Sequence, residues 1–171
     1  MTCAVTEIRS EFPEQMKRFA AKVAFLDPDE RRKLLNDHLE EYSYYYFKKD
    51  PDWTFEEDKE HRAEAQTAEC TFLDLFRGKP SFDNRAELES YLRKAFENGT
   101  EDEVSTQMGL WCDELIAEHA SSSCLVAETD RAFHLRGALS RFLSSSDTSS
   151  RESRLWPLVS KVRLVYLTLH S

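Results

Sequence analysis

The apolar residues of this chain alternate at its two ends and recur every three or four positions between them. Near the start, Cys3, Val5 and Glu7 alternate with Ala4, Thr6 and Ile8, the period-two pattern of a half-buried strand, until Phe12-Pro13-Glu14 breaks it. A second alternating run sets Phe19, Ala21, Val23 and Phe25 on one face, so residues 1–26 are expected to form an antiparallel strand pair. At the other end, Trp156-Pro157 leads into a strand from Val162 to Leu169, apolar on both faces from Leu164 onward. Continuous apolarity suggests a strand inside a layered sheet. The run then stops at Leu169-His170-Ser171 with no turn or covering element, which suggests an unpaired edge and a piece of a larger α/β domain.

Between these ends the period changes to that of helices. Asp27-Pro28-Asp29-Glu30 supplies a start, with Asp27 as N-cap, Pro28 in the first turn and Glu30 reaching back. Leu35, Leu39, Tyr42 and Tyr46 form its apolar stripe, and Asp50-Pro51 breaks the helix after Phe47. Thr54 and Glu57 make a capping box for a second helix with Ala65, Ala68, Phe72 and Phe76 inward, stopped by Gly78-Lys79-Pro80. A third is expected over residues 84–97 around Leu88, Tyr91, Leu92 and Phe96, ended by Asn98-Gly99. Thr100 and Glu103 suggest another capping box, ahead of a fourth helix with Val104, Met108, Trp111 and Leu115 in its core. After Ser121-Ser122-Ser123, Cys124-Leu125-Val126 reads as a short extended piece. A fifth helix from Asp130 carries Ala132, Leu135, Leu139 and Phe142. The expected organisation is a strand pair (1–26), a helical insertion (27–143), a Ser-rich loop (144–154) and a terminal strand (155–171). The fold class is mostly α with a small β component: two to three strands from the termini and about five helices.

Composition narrows the function classes. The chain has 171 residues, enough for one core, and its 40% hydrophobic and 32% charged content is that of a globular chain. A net charge of -9 repels phosphate backbones and anionic lipid, against nucleic-acid or membrane-surface binding. No apolar run approaches the ~18 residues that span a bilayer, and no secretory leader is visible. Cys3, Cys70, Cys112 and Cys124 are scattered without a CxxC pair, as expected of reduced thiols in the cytoplasm or nucleus.

The residues offer little catalytic chemistry. A phosphate cradle needs clustered glycines, but Gly78, Gly99, Gly109 and Gly137 lie far apart, with no GxxxxGK[ST], DxxG or NKxD. Cys112, His119, Cys124 and His134 fall in one region, yet their intervals of six, four and nine residues are unlike the close ligand pairs of structural zinc sites, and packed residues are the better reading. No Ser lies on a tight Gly-flanked turn, and no Cys is paired locally with a His. The acidic stretch Glu56-Glu57-Asp58-Lys59-Glu60 reads as a solvated helix start that offsets the macrodipole. Tyr42-Ser43-Tyr44-Tyr45-Tyr46-Phe47 lies among carboxylates and lacks the cations that base stacking needs, so helix packing is favoured. Ser144-Ser145-Ser146-Asp147 could accept phosphate, with an unmodified linker the default.

A family resemblance adds what spacing does not. Thr2-Cys3-Ala4-Val5-Thr6-Glu7-Ile8 and Leu155-Trp156-Pro157-Leu158-Val159-Ser160-Lys161-Val162-Arg163-Leu164 resemble two segments of dynamin-superfamily large GTPases. The nearest are nuclear-GTPase-like P-loop proteins common in filamentous fungi. Asp27 to Tyr45, Asp50-Pro51-Asp52-Trp53 and Ala68 to Phe76 are similar to that family's helical insertion, so the resemblance covers nearly the whole chain. It implies an incomplete G domain. Thr2 would correspond to the switch I threonine that ligates Mg²⁺ and contacts the γ-phosphate, and the closing strand would precede a DLPG motif. P-loop, DLPG and guanine-specifying motifs are all missing from the sequence, so GTP and Mg²⁺ are expected cofactors of the complete parent and none is expected here. By this reading the chain alone is inactive and Thr2 has no site to serve; Thr6 is expected to point into the sheet. The alternative is a free-standing helical interaction module that docks a partner, or a second copy, through the exposed C-terminal strand. An enzyme of another type finds no supporting constellation.

Overall fold

The computed structural model describes residues 5–9, 19–119, 124–129, 155 and 157–166. Eight elements follow in chain order: β1 (Val5–Arg9), β2 (Phe19–Phe25), α1 (Pro28–Phe47), α2 (Phe55–Leu75), α3 (Arg85–Asn98), α4 (Glu101–His119), β3 (Cys124–Thr129) and β4 (Val159–Tyr166). The protein is mostly helical with a small sheet. It divides into two compact units, Met1–Asp27 with Glu114–Ser171 and Pro28–Asp113, the division falling within α4. The fifth helix, the Ser-rich loop and Thr2 lie outside the described residues.

Local signals set the helix boundaries of the second unit. Pro28 opens α1, where its fixed φ fits and its missing N–H has no intrahelical partner to lose. The Thr54 hydroxyl accepts from the Glu57 N–H, while the Glu57 carboxylate accepts from the Thr54 N–H at 2.8 Å, completing the capping box of α2. Asn84 caps α3 through its side-chain oxygen, and Gly99 ends it at φ 66°, a left-handed conformation that costs glycine little. At the start of α4 the Thr100 hydroxyl donates to the Ala95 carbonyl, tying α4 to the end of α3 in place of the expected box with Glu103.

Leu35 and Tyr42 of α1 and Ala65, Ala68, Phe72 and Leu75 of α2 are buried, and Phe76 is buried just after α2. Phe82, in the turn between α2 and α3, is fully buried and was not foreseen from periodicity. Its ring packs edge-on against Phe76, Tyr91 and Trp111, joining that turn to α3 and α4. The buried stripe of α4 is Val104, Ser105, Met108 and Cys112, so Trp111 is half-buried at the margin instead of central.

The sheet order is β1-β4-β2-β3. Two expectations are corrected. The first two strands do not pair with each other, because β4 lies between them, parallel to β1 and antiparallel to β2. In addition, β4 is no open edge: Lys161 to Val165 face Val5 to Arg9 on one side and Lys22 to Ala20 fall opposite Arg163 to Val165 on the other. With both rows of backbone groups used along this stretch, it has none to offer an added strand. Of the apolar run from Leu164 onward, Leu164 to Tyr166 belong to β4, and Leu167 to Leu169 lie outside the described residues. Among the described residues the termini supply three strands, as expected, and the short extended piece read at Cys124-Leu125-Val126 is a fourth, Cys124–Thr129, paired with β2. The register shifts at Ala24 and Phe25, where the Ser160 hydroxyl donates to both their carbonyls at 3.1 Å.

Candidate functional site

The residues singled out by sequence do not converge. Thr2, the one candidate cofactor-binding residue, lies outside the described residues. The strand that follows it, β1, runs parallel to β4, so the end of β1 that leads back to Thr2 lies beside the beginning of β4. Of the zinc candidates, His134 is not described, and Cys112 is buried, its thiol pushed up to about 12 by desolvation. Among the described residues no three His, Cys, Asp or Glu side chains are placed to share a metal ion. The acidic stretch forms the first turn of α2, where Asp58 pairs with Lys49.

The aromatic run at the end of α1 is packed on both sides. Tyr44 meets Trp53 and His61 at 5.2 and 5.0 Å, and Tyr45 stacks on Trp53. Tyr46 donates to Glu69 and accepts from Arg85, each at 3.1 Å, with Arg85 Nε 3.2 Å from the same carboxylate. Burial, then the Glu69 charge, raises the Tyr46 phenol to about 12. Tyr42 is fully buried and its hydroxyl finds no partner among the described residues, so desolvation drives its ionisation even further out of reach.

Among the described residues, a polar concavity of about 370 Å³ lies in the helical unit, between α1 and α4. Arg32 and Asn36, one turn apart, contribute from α1; Asp102, Thr106, Gly109 and Leu110 contribute from one face of α4. Two cross-links join the walls: Arg31 pairs with Asp113, and Ser105 donates to the Asn36 side-chain oxygen. The second bond leaves the Asn36 NH₂ as the remaining donor. Gly109 is open on this face, since an added methyl would meet no atom within 4 Å. A glycine inside a helix costs about 1 kcal/mol against alanine, and packing gives no reason for it here. Periodicity missed this site because it is made by the polar faces of two helices distant in sequence. The i, i+4 pairs Arg32–Asn36 and Asp102–Thr106 were its only linear trace.

Comparison with protein-family models, with curated proteins and with solved structures found no match.

Proposed function

We propose that the chain is the switch-adjacent sheet and helical insertion of a dynamin-superfamily GTPase domain, with no GTP binding or turnover of its own. The observation that supports this reading is the pairing of β1 with β4. The two segments that carry the resemblance, far apart in sequence, are neighbours from Val5↔Lys161 to Arg9↔Val165, and the helical unit is inserted between β2 and β3. GTP and Mg²⁺ would belong to the complete parent protein.

The absence of the nucleotide-gripping motifs supports inactivity. A switch threonine and a DLPG loop act on one Mg²⁺–γ-phosphate centre. The sequence has no P-loop, DLPG or guanine-specifying motif to grip the phosphates, the Mg²⁺ or the base. Titration calorimetry with a non-hydrolysable GTP analogue and Mg²⁺ is expected to show no binding; a Kd of about 10 μM or tighter would overturn the inactivity. Sequencing the transcript through both ends tests the family. An in-frame GxxxxGKS before Met1 and DLPG after Ser171 are expected, and an independently bounded transcript without them would overturn the assignment.

A free-standing interaction module is the second reading. It is favoured by the compactness of Pro28–Asp113, which has its own buried core and its own groove. Its docking surface would then lie on the helices, since the β4 stretch is occupied on both sides.

A further inference from the structure

The α1–α4 groove has a charge pattern that limits what could fill it. Arg31 and Asp113 neutralise one another across it. Two charges of opposite sign then remain, Arg32 on the α1 wall and Asp102 on the α4 wall, and neither makes an ion pair or side-chain hydrogen bond with a described residue. The Asn36 NH₂, one turn from Arg32, adds a donor beside the guanidinium. A phosphate dianion would meet Asp102 and a metal cation would meet Arg32, so each is opposed by one wall. A ligand with a carboxylate at one end and an ammonium at the other is opposed by neither.

We infer that this groove binds a small zwitterion of the amino-acid or dipeptide class, carboxylate on Arg32 and the Asn36 amide, ammonium on Asp102. Its volume lies in the range of small-molecule sites. Leu110, 53% exposed at the groove, offers an apolar surface to a ligand side chain. Gly109 keeps the floor open where any other residue would project a side chain. No binding step involves GTP or the sheet, so this inference stands or falls apart from the proposed family.

The test is a titration of the full chain with alanyl-leucine, leucine, N-acetyl-alanyl-leucine and alanyl-leucinamide, followed by calorimetry and amide chemical shifts. Alanyl-leucine, leucine or both should bind with a Kd of about 1 mM or tighter, and the stronger of the two identifies the ligand length. Blocking either terminus of the dipeptide, or introducing Arg32→Gln or Asp102→Asn, should weaken binding about tenfold or more. Gly109→Ala should weaken binding while raising Tm, a combination that loss of fold cannot produce. Arg32→Gln and Asp102→Asn change exposed side chains, so they keep the test sharp should a larger residue at 109 disturb the helix. The inference is overturned if neither zwitterion binds at about 10 mM, if blocked and free dipeptides bind equally, or if inorganic phosphate binds the groove more tightly than either.

Discussion

At Tyr42 one side chain carries two opposed contributions. Its ring lies against Tyr46 at 4.5 Å and against Phe47 and Phe72, in the centre of the helical core. Its hydroxyl has lost water and gained no partner among the described residues, a loss of about 1–3 kcal/mol for a buried polar group. Tyr42→Phe keeps the ring and removes the orphan. It should therefore stabilise the protein by about 1 kcal/mol, seen as a higher urea midpoint at unchanged slope. A lower midpoint would mean that the hydroxyl is bonded. Sequence spacing placed Tyr42 on the buried stripe correctly, because periodicity reports which face is inward. Whether a buried hydroxyl is satisfied depends on residues far away in sequence, and nothing in the spacing of Leu35, Leu39, Tyr42 and Tyr46 could carry that.

Among elements, α1, α2 and α3 are joined by the Tyr46–Glu69–Arg85 network as well as by apolar packing. The ordinary phenol value of 10.0 is raised to about 12 at Tyr46, by burial first and then by Glu69, with Arg85 opposing. The neutral phenol is thus the folded form. Between pH 10 and 12 the unfolded chain gives up this proton while the folded chain keeps it, so stability falls as pH rises through that window. Chemical denaturation across that range should show a steeper fall for the native chain than for Tyr46→Phe, and equal slopes would remove Tyr46 from the account. The helices themselves were legible because their signals are local: the Thr54–Glu57 box, the Asn84 cap and the Gly99 stop each lie within a few residues of the boundary they set. The network was not legible, since Tyr46, Glu69 and Arg85 meet only after three helices have packed. Phe82 was missed for a related reason: it stands in a turn, outside any period, and is buried by Phe76, Tyr91 and Trp111 converging on it.

On the scale of the molecule, the alternation of β1 and β2 and the apolar residues that enter β4 at Leu164 marked strands correctly, but strand order is a property of pairs. Two alternating runs close in sequence read as a hairpin, and the structure instead inserts β4 between them. The consequence is measurable without any ligand. β4 exchanges backbone hydrogen bonds with two neighbours over Lys161 to Val165, and β2 likewise lies between β4 and β3. β1 and β3 each have a single neighbour among the described residues, so their amides are engaged on one side only. Native-state hydrogen exchange on the full chain should therefore protect β2 and β4 at nearly every residue. In β1 and β3 it should protect alternate amides at best, with β1, the shortest strand, opening most readily. A hairpin of β1 with β2, the arrangement that local pattern favours, would reverse the outcome for β4: its amides facing β1 would lose their partners and exchange quickly, while those of β1 would follow β2. Alternating protection in β4 with uniform protection of β2 would thus reject the order β1-β4-β2-β3, and with it the adjacency on which the GTPase-domain reading relies.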